Sequence, residues 1–161
     1  MDENQFLEFY HGVSDEYKGF VTTIHEKLLK EGCNVKISSN KTNLFSVKYA
    51  QGRKGVFLFM LRKKGLKASV YAGNFAQYPD VLNSLPETMA TQIKKSSNCV
   101  NVMRPGKCRD RCIGYDINIK EELYQKCKYD CFQFDVDARS IPALLELLES
   151  ELEERRLLTL F

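Results

Sequence analysis

The sequence predicts an α+β fold, in which an antiparallel sheet of about six strands packs with three helices and a cysteine-bound hairpin extends the sheet. Three observations lead to this prediction. Segments with helical periodicity are segregated along the chain from segments that alternate like strands. The strand-like segments are short and are joined by short turns, which favours antiparallel pairing. Two close pairs of cysteines flank one of the predicted hairpins.

The first long helix is predicted to begin after Ser14, a residue type that commonly caps helix N-termini. A short helical lead-in is predicted over residues 5–10. The apolar residues that recur at helical spacing are Tyr17, Phe20, Val21, Ile24 and Leu28. Gly32 ends the helix, because glycine readily adopts the left-handed conformation that follows many helices.

Four strands are predicted next, because apolar residues alternate with polar ones and glycine-containing turns separate the segments. The turns are predicted at residues 51–55 and 63–65. Residues 56–61 break the alternation, since all of them are apolar. A strand with one face in water should alternate. Both faces of this strand are therefore predicted to be covered, by helices, a dimer partner or a ligand cleft.

A second helical region is predicted over residues 78–95, with a break near Leu85. Ser84 and Glu87 have the spacing of a capping box, which indicates that a new helix starts there. An irregular stretch with the first cysteine pair follows. Three further strands are predicted at residues 113–119, 123–126 and 132–136.

The last helix is predicted to start at Ser140 and to end near Arg155 or Arg156, with leucines along one face. Its acidic residues are most simply the solvated face of this helix. Alternatively, they complement a basic surface within the fold or in a dimer. These residues are Glu146, Glu149, Glu151, Glu153 and Glu154.

Composition limits the location and the partners of the protein. The 161 residues fit one domain over residues 1–161, and the net charge of +3 implies by itself no acidic or nucleic-acid partner. The first residues lack the basic and apolar regions of a signal peptide. No stretch approaches the roughly 20 apolar residues that cross a membrane. We therefore expect a cytoplasmic protein with reduced thiols and no membrane partner.

Two close cysteine pairs, each with the spacing Cys-x3-Cys, are separated by fourteen residues. Each pair comes from one turn, and the predicted hairpin of residues 113–126 would bring the two turns together, as in four-thiolate zinc sites. Four protein ligands leave no open coordination position, so zinc here would be structural. We therefore predict a zinc-binding hairpin at about residues 99–132. The predicted ligands are Cys108, Cys112, Cys127 and Cys131.

Two alternatives to zinc remain open at these positions, namely reduced or disulfide-linked thiols and an iron–sulfur cluster. The x3 spacing requires a turn at residues 128–130, because a straight strand would separate the Cα atoms of Cys127 and Cys131 by about 13 Å. Nearby cations would offset the negative charge of a zinc–thiolate centre, unless they are ordinary surface residues. These cations are Arg104, Lys107, Arg109, Arg111, Lys126 and Lys128.

The cysteine-containing segments at residues 107–115 and 124–132 also carry a family resemblance, together with residues 59–66 and 82–87. Over most of its length the chain resembles an uncharacterised family of small bacterial proteins with paired Cys-x3-Cys motifs. That family has no assigned function, so the resemblance implies no activity. It implies only that the cysteine pattern is not accidental.

Residues 32–79 contain no Asp or Glu and are rich in cations and aromatic residues. A basic sheet with aromatic platforms would bind single-stranded nucleic acid through phosphate contacts and base stacking, or would bind a small anion. The alternative is a solvated sheet face, with the aromatic rings in the core. The aromatic residues are Phe45, Tyr49, Phe57, Phe59, Tyr71, Phe75 and Tyr78, and the nine cations are Lys36, Lys41, Lys48, Arg53, Lys54, Arg62, Lys63, Lys64 and Lys67.

No catalytic motif is recognisable in the sequence. It has no phosphate loop, dinucleotide fingerprint or paired-carboxylate motif, and His11 and His25 have no recognisable partners in sequence. We therefore interpret the chain as a non-enzymatic module that binds a small molecule or a protein, with zinc fixing its hairpin. The alternatives are a nucleic-acid-binding module that uses residues 32–79 and a thiol-based redox sensor. Cys33 and Cys99 receive no role.

Overall fold

A computed structural model describes residues 3–71, 73–104, 106–108, 114–127 and 131–159. Across these residues the protein has the predicted α+β class, with antiparallel strand pairing. The predicted sheet of about six strands is instead a five-stranded sheet with a separate two-stranded hairpin. The described residues contain six α-helices rather than three, because the helical lead-in and the two parts of the second helical region are separate helices, and a further short helix lies in a stretch predicted as irregular.

The first compact unit comprises Met1–Val70 and Gln133–Leu145. It begins with two helices, α1 (Glu3–Gly12) and α2 (Asp15–Lys30). Four consecutive strands follow, which are β1 (Asn34–Ser38), β2 (Phe45–Gln51), β3 (Lys54–Arg62) and β4 (Gly65–Tyr71). Another strand, β7 (Cys131–Asp135), completes the sheet, whose strand order is β1-β2-β3-β4-β7.

Helices α1 and α2 cover one face of this sheet. Phe9 of α1 and Phe20 of α2 contact Phe59 of β3, with ring centroids 5.9 Å and 5.7 Å apart. Phe59 pairs with Val47 of β2, and both residues are fully buried. The prediction that residues 56–61 are covered is confirmed, because five of the six are buried, and on the Phe59 face the covering elements are helices.

The second compact unit comprises Tyr71–Phe132 and Glu146–Phe161. Its elements are a 3-10 helix (Phe75–Gln77), α3 (Pro79–Ser84), α4 (Glu87–Lys95), α5 (Val100–Met103), β5 (Tyr115–Ile119) and β6 (Glu122–Lys126). The last helix, α6 (Ser140–Thr159), belongs to the first unit up to Leu145 and to the second unit from Glu146. The single domain predicted for residues 1–161 stays a prediction, because compactness does not measure independent folding.

The predicted helix break near Leu85 is confirmed, but the capping box at this position is wrong. The hydroxyl of Ser84 donates to the carbonyl oxygen of Val81 at 2.9 Å and so closes the last turn of α3. Helix α4 begins at Glu87 after Pro86, without a side-chain cap. Pro86 explains the break, since a proline excludes the preceding residue from a helical conformation.

The helices of the described residues include none that is both long enough and apolar enough to cross a membrane. The longest of them, α6, spans twenty residues, and acidic side chains interrupt its leucines.

Candidate anion-binding face and cysteine hairpin

The face of the sheet opposite α1 and α2 carries cations beside a buried centre, because Val56, Met60 and Ser69 lie on this face and are 0–2 % exposed. Residues that pair across neighbouring strands lie on the same face of a sheet. Lys36 pairs with Lys48, and Lys67 pairs with Met60, which alternates with the core residue Phe59. Arg62 follows Met60 by two positions and therefore lies on this face too. We call Lys36, Lys48, Arg62 and Lys67 the basic face; Lys36 is exposed and the others are half-buried.

Arg62 is held in place by uncharged neighbours. Its Nε donates to Oδ1 of Asn43 at 2.8 Å, and its Nη2 donates to Oε1 of Gln133 at 3.2 Å. Nη2 also lies 3.8 Å from Sδ of Met60. Because these partners are neutral, they fix the guanidinium without cancelling its charge. Lys67 differs, since its ammonium pairs with Asp135 at 2.6 Å.

Of the two interpretations of the aromatic residues at residues 32–79, the one that places the rings in the core is confirmed for most of them, and exposed aromatic platforms are not found among the described residues of this segment. Five of the seven rings are buried, and Phe45 and Tyr71 are half-buried. Phe45 pairs with Leu61, which places it on the helix-covered side of the sheet. Alternation explains this arrangement, because cations and aromatic rings that neighbour each other in sequence point to opposite faces of a strand. The cationic part of the prediction remains.

An antiparallel hairpin, β5–β6, lies between the two cysteine pairs, whereas its binding by the cysteines stays a prediction. Strands β5 and β6 pair from Ile119 with Glu122 at the turn to Tyr115 with Lys126 at the open end. Lys120 and Glu121 form the turn with positive φ angles of 50° and 67°, as a two-residue hairpin turn requires. The backbone N–H of Lys120 donates to Oδ1 of Asn83 at 2.8 Å, which stabilises this turn.

The two cysteines of the second pair adjoin strands. Cys127 directly follows β6, and Cys131 begins β7. Both are half-buried, whereas Cys108 is exposed. Cys112 and the predicted turn at residues 128–130 lie outside the described residues. Within the described residues, no three His, Cys, Asp or Glu side chains converge closely enough to hold a metal ion.

Cys99, which received no role from the sequence, is packed against the open end of the hairpin. Its backbone N–H donates to the carbonyl oxygen of Gln125 at 3.0 Å, and its side chain is buried. A Cβ placed on Gly114 would lie 2.8 Å from Sγ of Cys99. Gly114 also has a φ of +69°, so only glycine satisfies both the backbone and the space at this position.

Lys126 is a buried cation and not an ordinary surface residue, which was one of the two interpretations that the sequence left open. Its ammonium donates to the carbonyl oxygens of Lys94 and Ser96, at 3.0 Å and 2.6 Å. These carbonyls lie at the C-terminus of α4, where a cation complements the helix dipole. Burial lowers the pKa of Lys126. The ammonium therefore caps a helix, and its hydrogen bonds are not directed at the cysteine thiols.

Glu151 corrects the interpretation of α6, because it is fully buried and not part of a solvated acidic face. Its carboxylate accepts hydrogen bonds from the Asn74 backbone and side chain, at 3.2 Å and 3.1 Å, and from the Tyr78 hydroxyl at 2.7 Å. Arg155 Nε donates to the same group at 2.9 Å. Burial and the adjacent negative charge raise the pKa of Tyr78, so its hydroxyl remains a donor.

His25 has a structural partner that the sequence did not reveal. Its Nδ1 shares a hydrogen bond of 2.9 Å with the hydroxyl of Tyr49, and its ring stacks on Phe6 at a centroid distance of 3.9 Å. Burial lowers the pKa of His25, against an opposing effect of Glu26. The folded protein therefore favours the neutral imidazole.

A pH dependence of stability follows from His25. The unfolded chain binds the proton more tightly than the folded chain, so stability is complete above the ordinary imidazole pKa of 6.5 and falls as the pH drops toward the lower pKa of the folded state. We expect the thermal midpoint to decrease between about pH 7.5 and pH 5.5. His25→Gln should reduce this slope, and the matched variant His11→Gln should retain it. Equal slopes in both variants would contradict this assignment.

Comparisons with known proteins add no relative of this chain. No family model matches the sequence, and no curated protein or solved structure matches it. The family resemblance described from the sequence therefore stays a prediction.

Proposed function

We propose that the protein is a non-enzymatic binding module whose basic face receives an anionic partner. The observation that carries this proposal is Arg62, whose guanidinium is positioned by Asn43 and Gln133 while its charge stays uncancelled by them. An arginine fixed by neutral amides loses little further side-chain entropy when it binds an anion. Positioned cationic donors of this kind suit carboxylate and phosphate groups.

The surroundings of Arg62 support an anionic partner over an apolar small molecule. Residues 32–79 contribute no carboxylate to this face. The acidic neighbour Asp135 comes from β7 and pairs with Lys67. A ligand cleft was one of the covers that the sequence allowed for residues 56–61, but helices α1 and α2 cover Phe59 of this segment. The basic face is therefore the stronger candidate for the binding surface.

The test removes two charges of the basic face and compares the loss of polyanion affinity with the loss caused by removing two charges elsewhere. Lys36→Gln combined with Arg62→Gln should weaken binding to heparin and to poly-glutamate by roughly tenfold or more, because each lost contact weakens a salt-dependent equilibrium. The charge-matched control is Lys30→Gln with Lys95→Gln, both exposed and outside this face. Affinity is measured by titration at several salt concentrations, and circular dichroism confirms the fold.

Two results would sink the proposal. The first is that the wild-type protein binds neither polyanion at low salt. The second is that the control variant loses as much affinity as the variant of the basic face. The second result would show that net charge, and not the arrangement around Arg62, determines binding.

We further propose that Cys108, Cys112, Cys127 and Cys131 hold one structural zinc ion. Two features support this proposal. The hairpin ends at the Tyr115–Lys126 pair. The first residue of β5, which follows Gly114, and the last residue of β6, which precedes Cys127, are therefore adjacent. Cys131 is reached only four residues later. Zinc bound by four thiolates would tie these segments together and would contribute to folding.

Zinc content and stability test this second proposal together. Protein purified without added metal should contain about one zinc per chain, and Cys127→Ser should lose the metal and several kcal/mol of stability. Cys33→Ser is the matched control, because Cys33 lies in the other compact unit. Metal-free protein whose thiol content changes reversibly with peroxide would contradict zinc and favour the redox-sensor alternative.

A further inference from the structure

We infer that a groove between α5 and β6 receives an extended, acidic peptide segment of a partner protein. The groove lies within the second compact unit and is independent of the basic face. Its volume is about 440 Å³, within the range of about 300–1,000 Å³ that ligand sites commonly have. Three features define the partner, namely an open strand edge, exposed apolar side chains and nearby cations. The lining residues are Asn98, Val102, Met103, Leu123, Tyr124 and Gln125.

The open strand edge belongs to β6, whose inner edge pairs with β5. On the outer edge, the backbone N–H of Cys99 donates to the carbonyl oxygen of Gln125 at 3.0 Å, and the chain then turns away into α5. Alternate residues of a strand direct their backbone groups to the same edge, so those of Leu123 also face outward. Among the described residues, no strand pairs with β6 at Leu123 on this side.

An extended peptide would continue the pairing at the point where the chain leaves this edge. Its backbone would exchange hydrogen bonds with the N–H and the carbonyl oxygen of Leu123, as in the addition of a strand to an exposed sheet edge. Helix α5 would lie beside the peptide. Because successive side chains of a strand point to opposite sides, every second side chain of the peptide would face the groove.

Apolar side chains line the groove from both sides. Val102 and Met103 of α5 are 44% and 67% exposed, and Leu123 of β6 is 61% exposed. Single exposed apolar residues are common on protein surfaces, whereas groups of them mark interaction sites. The peptide would therefore carry an apolar residue that covers this group.

Cations beside α5 indicate that the peptide is acidic. Arg104 directly follows the helix, and the backbone N–H of Lys107 donates to its carbonyl oxygen at 3.2 Å, so the two exposed cations lie in one turn. The sequence contains no Asp or Glu at residues 94–109. On β6, the carboxylate of Glu122 pairs with the ammonium of Lys94 at 3.2 Å. Carboxylates of a partner would complement the charge of this turn.

A second copy of the chain suits this groove less well than a short peptide. A symmetric dimer uses the same patch on both subunits, so it would bring Arg104 and Lys107 of one copy near the same cations of the other. Asn98 and Cys99 already contact part of the outer edge, so two β6 strands could pair over only a few residues. A stable interface buries about 800 Å² per partner.

The experiment selects peptides from a displayed library of random heptapeptides, using the full chain. Met103→Ser with Leu123→Ser removes apolar groups from the groove, and Leu7→Ser with Leu29→Ser, on α1 and α2, is the matched control because these leucines are exposed too. Peptides enriched on the wild-type protein should carry acidic residues beside an apolar one. Their affinity should fall roughly tenfold or more in the groove variant and stay unchanged in the control. Circular dichroism confirms the fold of both variants.

Two further measurements on the selected peptides test the charge and the strand pairing. Arg104→Gln with Lys107→Gln should weaken binding by about tenfold at low salt, and by less at high salt. N-methylation of the peptide backbone, one position at a time, should weaken binding by about tenfold at the residue that donates to Leu123. It should have little effect at the two adjacent residues, whose N–H groups point away from β6.

Several results would overturn this inference while leaving the basic face untouched. The first is that the wild-type protein enriches no peptides, or enriches the same peptides as the groove variant. Selected peptides that are neutral or basic would refute an acidic partner, and equal tolerance of N-methylation at every position would refute strand addition. A dimer that is detected by sedimentation and lost in the groove variant would assign the groove to a second copy of the chain.

Discussion

Replacing Glu151 with alanine is expected to lower the free energy of unfolding by about 3–5 kcal/mol, the loss that follows removal of one partner from a buried ion pair. The carboxylate is fully buried and accepts hydrogen bonds from Asn74, Tyr78 and Arg155. Alanine would leave the buried Tyr78 hydroxyl and the half-buried Asn74 N–H without this acceptor. It would also remove the carboxylate beside the half-buried Arg155.

Urea denaturation measures this loss, and two further variants make the result specific. Glu153→Ala changes an exposed glutamate of the same helix and should alter stability by less than about 0.5 kcal/mol. Glu151→Gln keeps the size of the side chain and part of its hydrogen bonding, so it should fall between the other two. A Glu151→Ala variant as stable as Glu153→Ala would show that these hydrogen bonds do not stabilise the fold.

The second large effect is expected at Gly114, where alanine should cost about 2–5 kcal/mol. The residue has a φ of +69°, which strains any L-residue with a Cβ. The added Cβ would also lie 2.8 Å from both Cβ and Sγ of Cys99 and 2.9 Å from the carbonyl oxygen of Lys126. Backbone cannot yield as a flexible side chain would, so the open end of the hairpin must widen.

Gly52 provides the matched control for this substitution. It has a similar φ of +58°, but no atom lies within 4 Å of an added Cβ. Gly52→Ala therefore carries only the backbone strain, about 1–2 kcal/mol. Thermal unfolding measures the stability of both variants, and the difference between their stability losses gives the steric contribution at Gly114. A Gly114→Ala variant no less stable than Gly52→Ala would mean that Cys99 is not packed against the hairpin.

Sequence periodicity was sufficient for the parts of the fold that depend on local geometry. Strands β1, β2 and β4 and the β5–β6 hairpin follow the alternation of apolar residues, because a strand exposes its two faces in turn, whereas β3 was recognised by its unbroken apolar run. One short helix was missed for the same physical reason. Helix α5 has only four residues, about one turn, which is too short for any periodicity to be recognised.

The buried charges show what periodicity leaves out. Lys126 and Glu151 are stabilised by partners 30 or more positions away in sequence, namely Ser96 for the lysine and Asn74 for the glutamate. Only tertiary structure brings these groups together. One signal was nevertheless present, since Glu151 lies between Leu148 and Leu152 in the apolar stripe of α6. A glutamate at such a position predicts a buried polar partner.

The candidate site was predictable in part. An acid-free cationic segment at residues 32–79 is visible in the sequence, and so is the cysteine spacing. Which face carries the cations depends on the register between strands, for example the pairing of Lys36 with Lys48. The role of Asn43 and Gln133 in holding Arg62 depends on a contact between residues 71 positions apart, which no local pattern encodes.

The path of the chain through the two compact units has a consequence for truncation. The polypeptide passes between the units after Val70, after Phe132 and again within α6 after Leu145. A fragment that ends at Val70 would lack β7, and the carbonyl of Leu66 would lose its hydrogen bond from Val136. The exposed edge of β4 would then be open to pairing with other chains. Trimming from either terminus therefore removes material from a unit whose remainder stays behind.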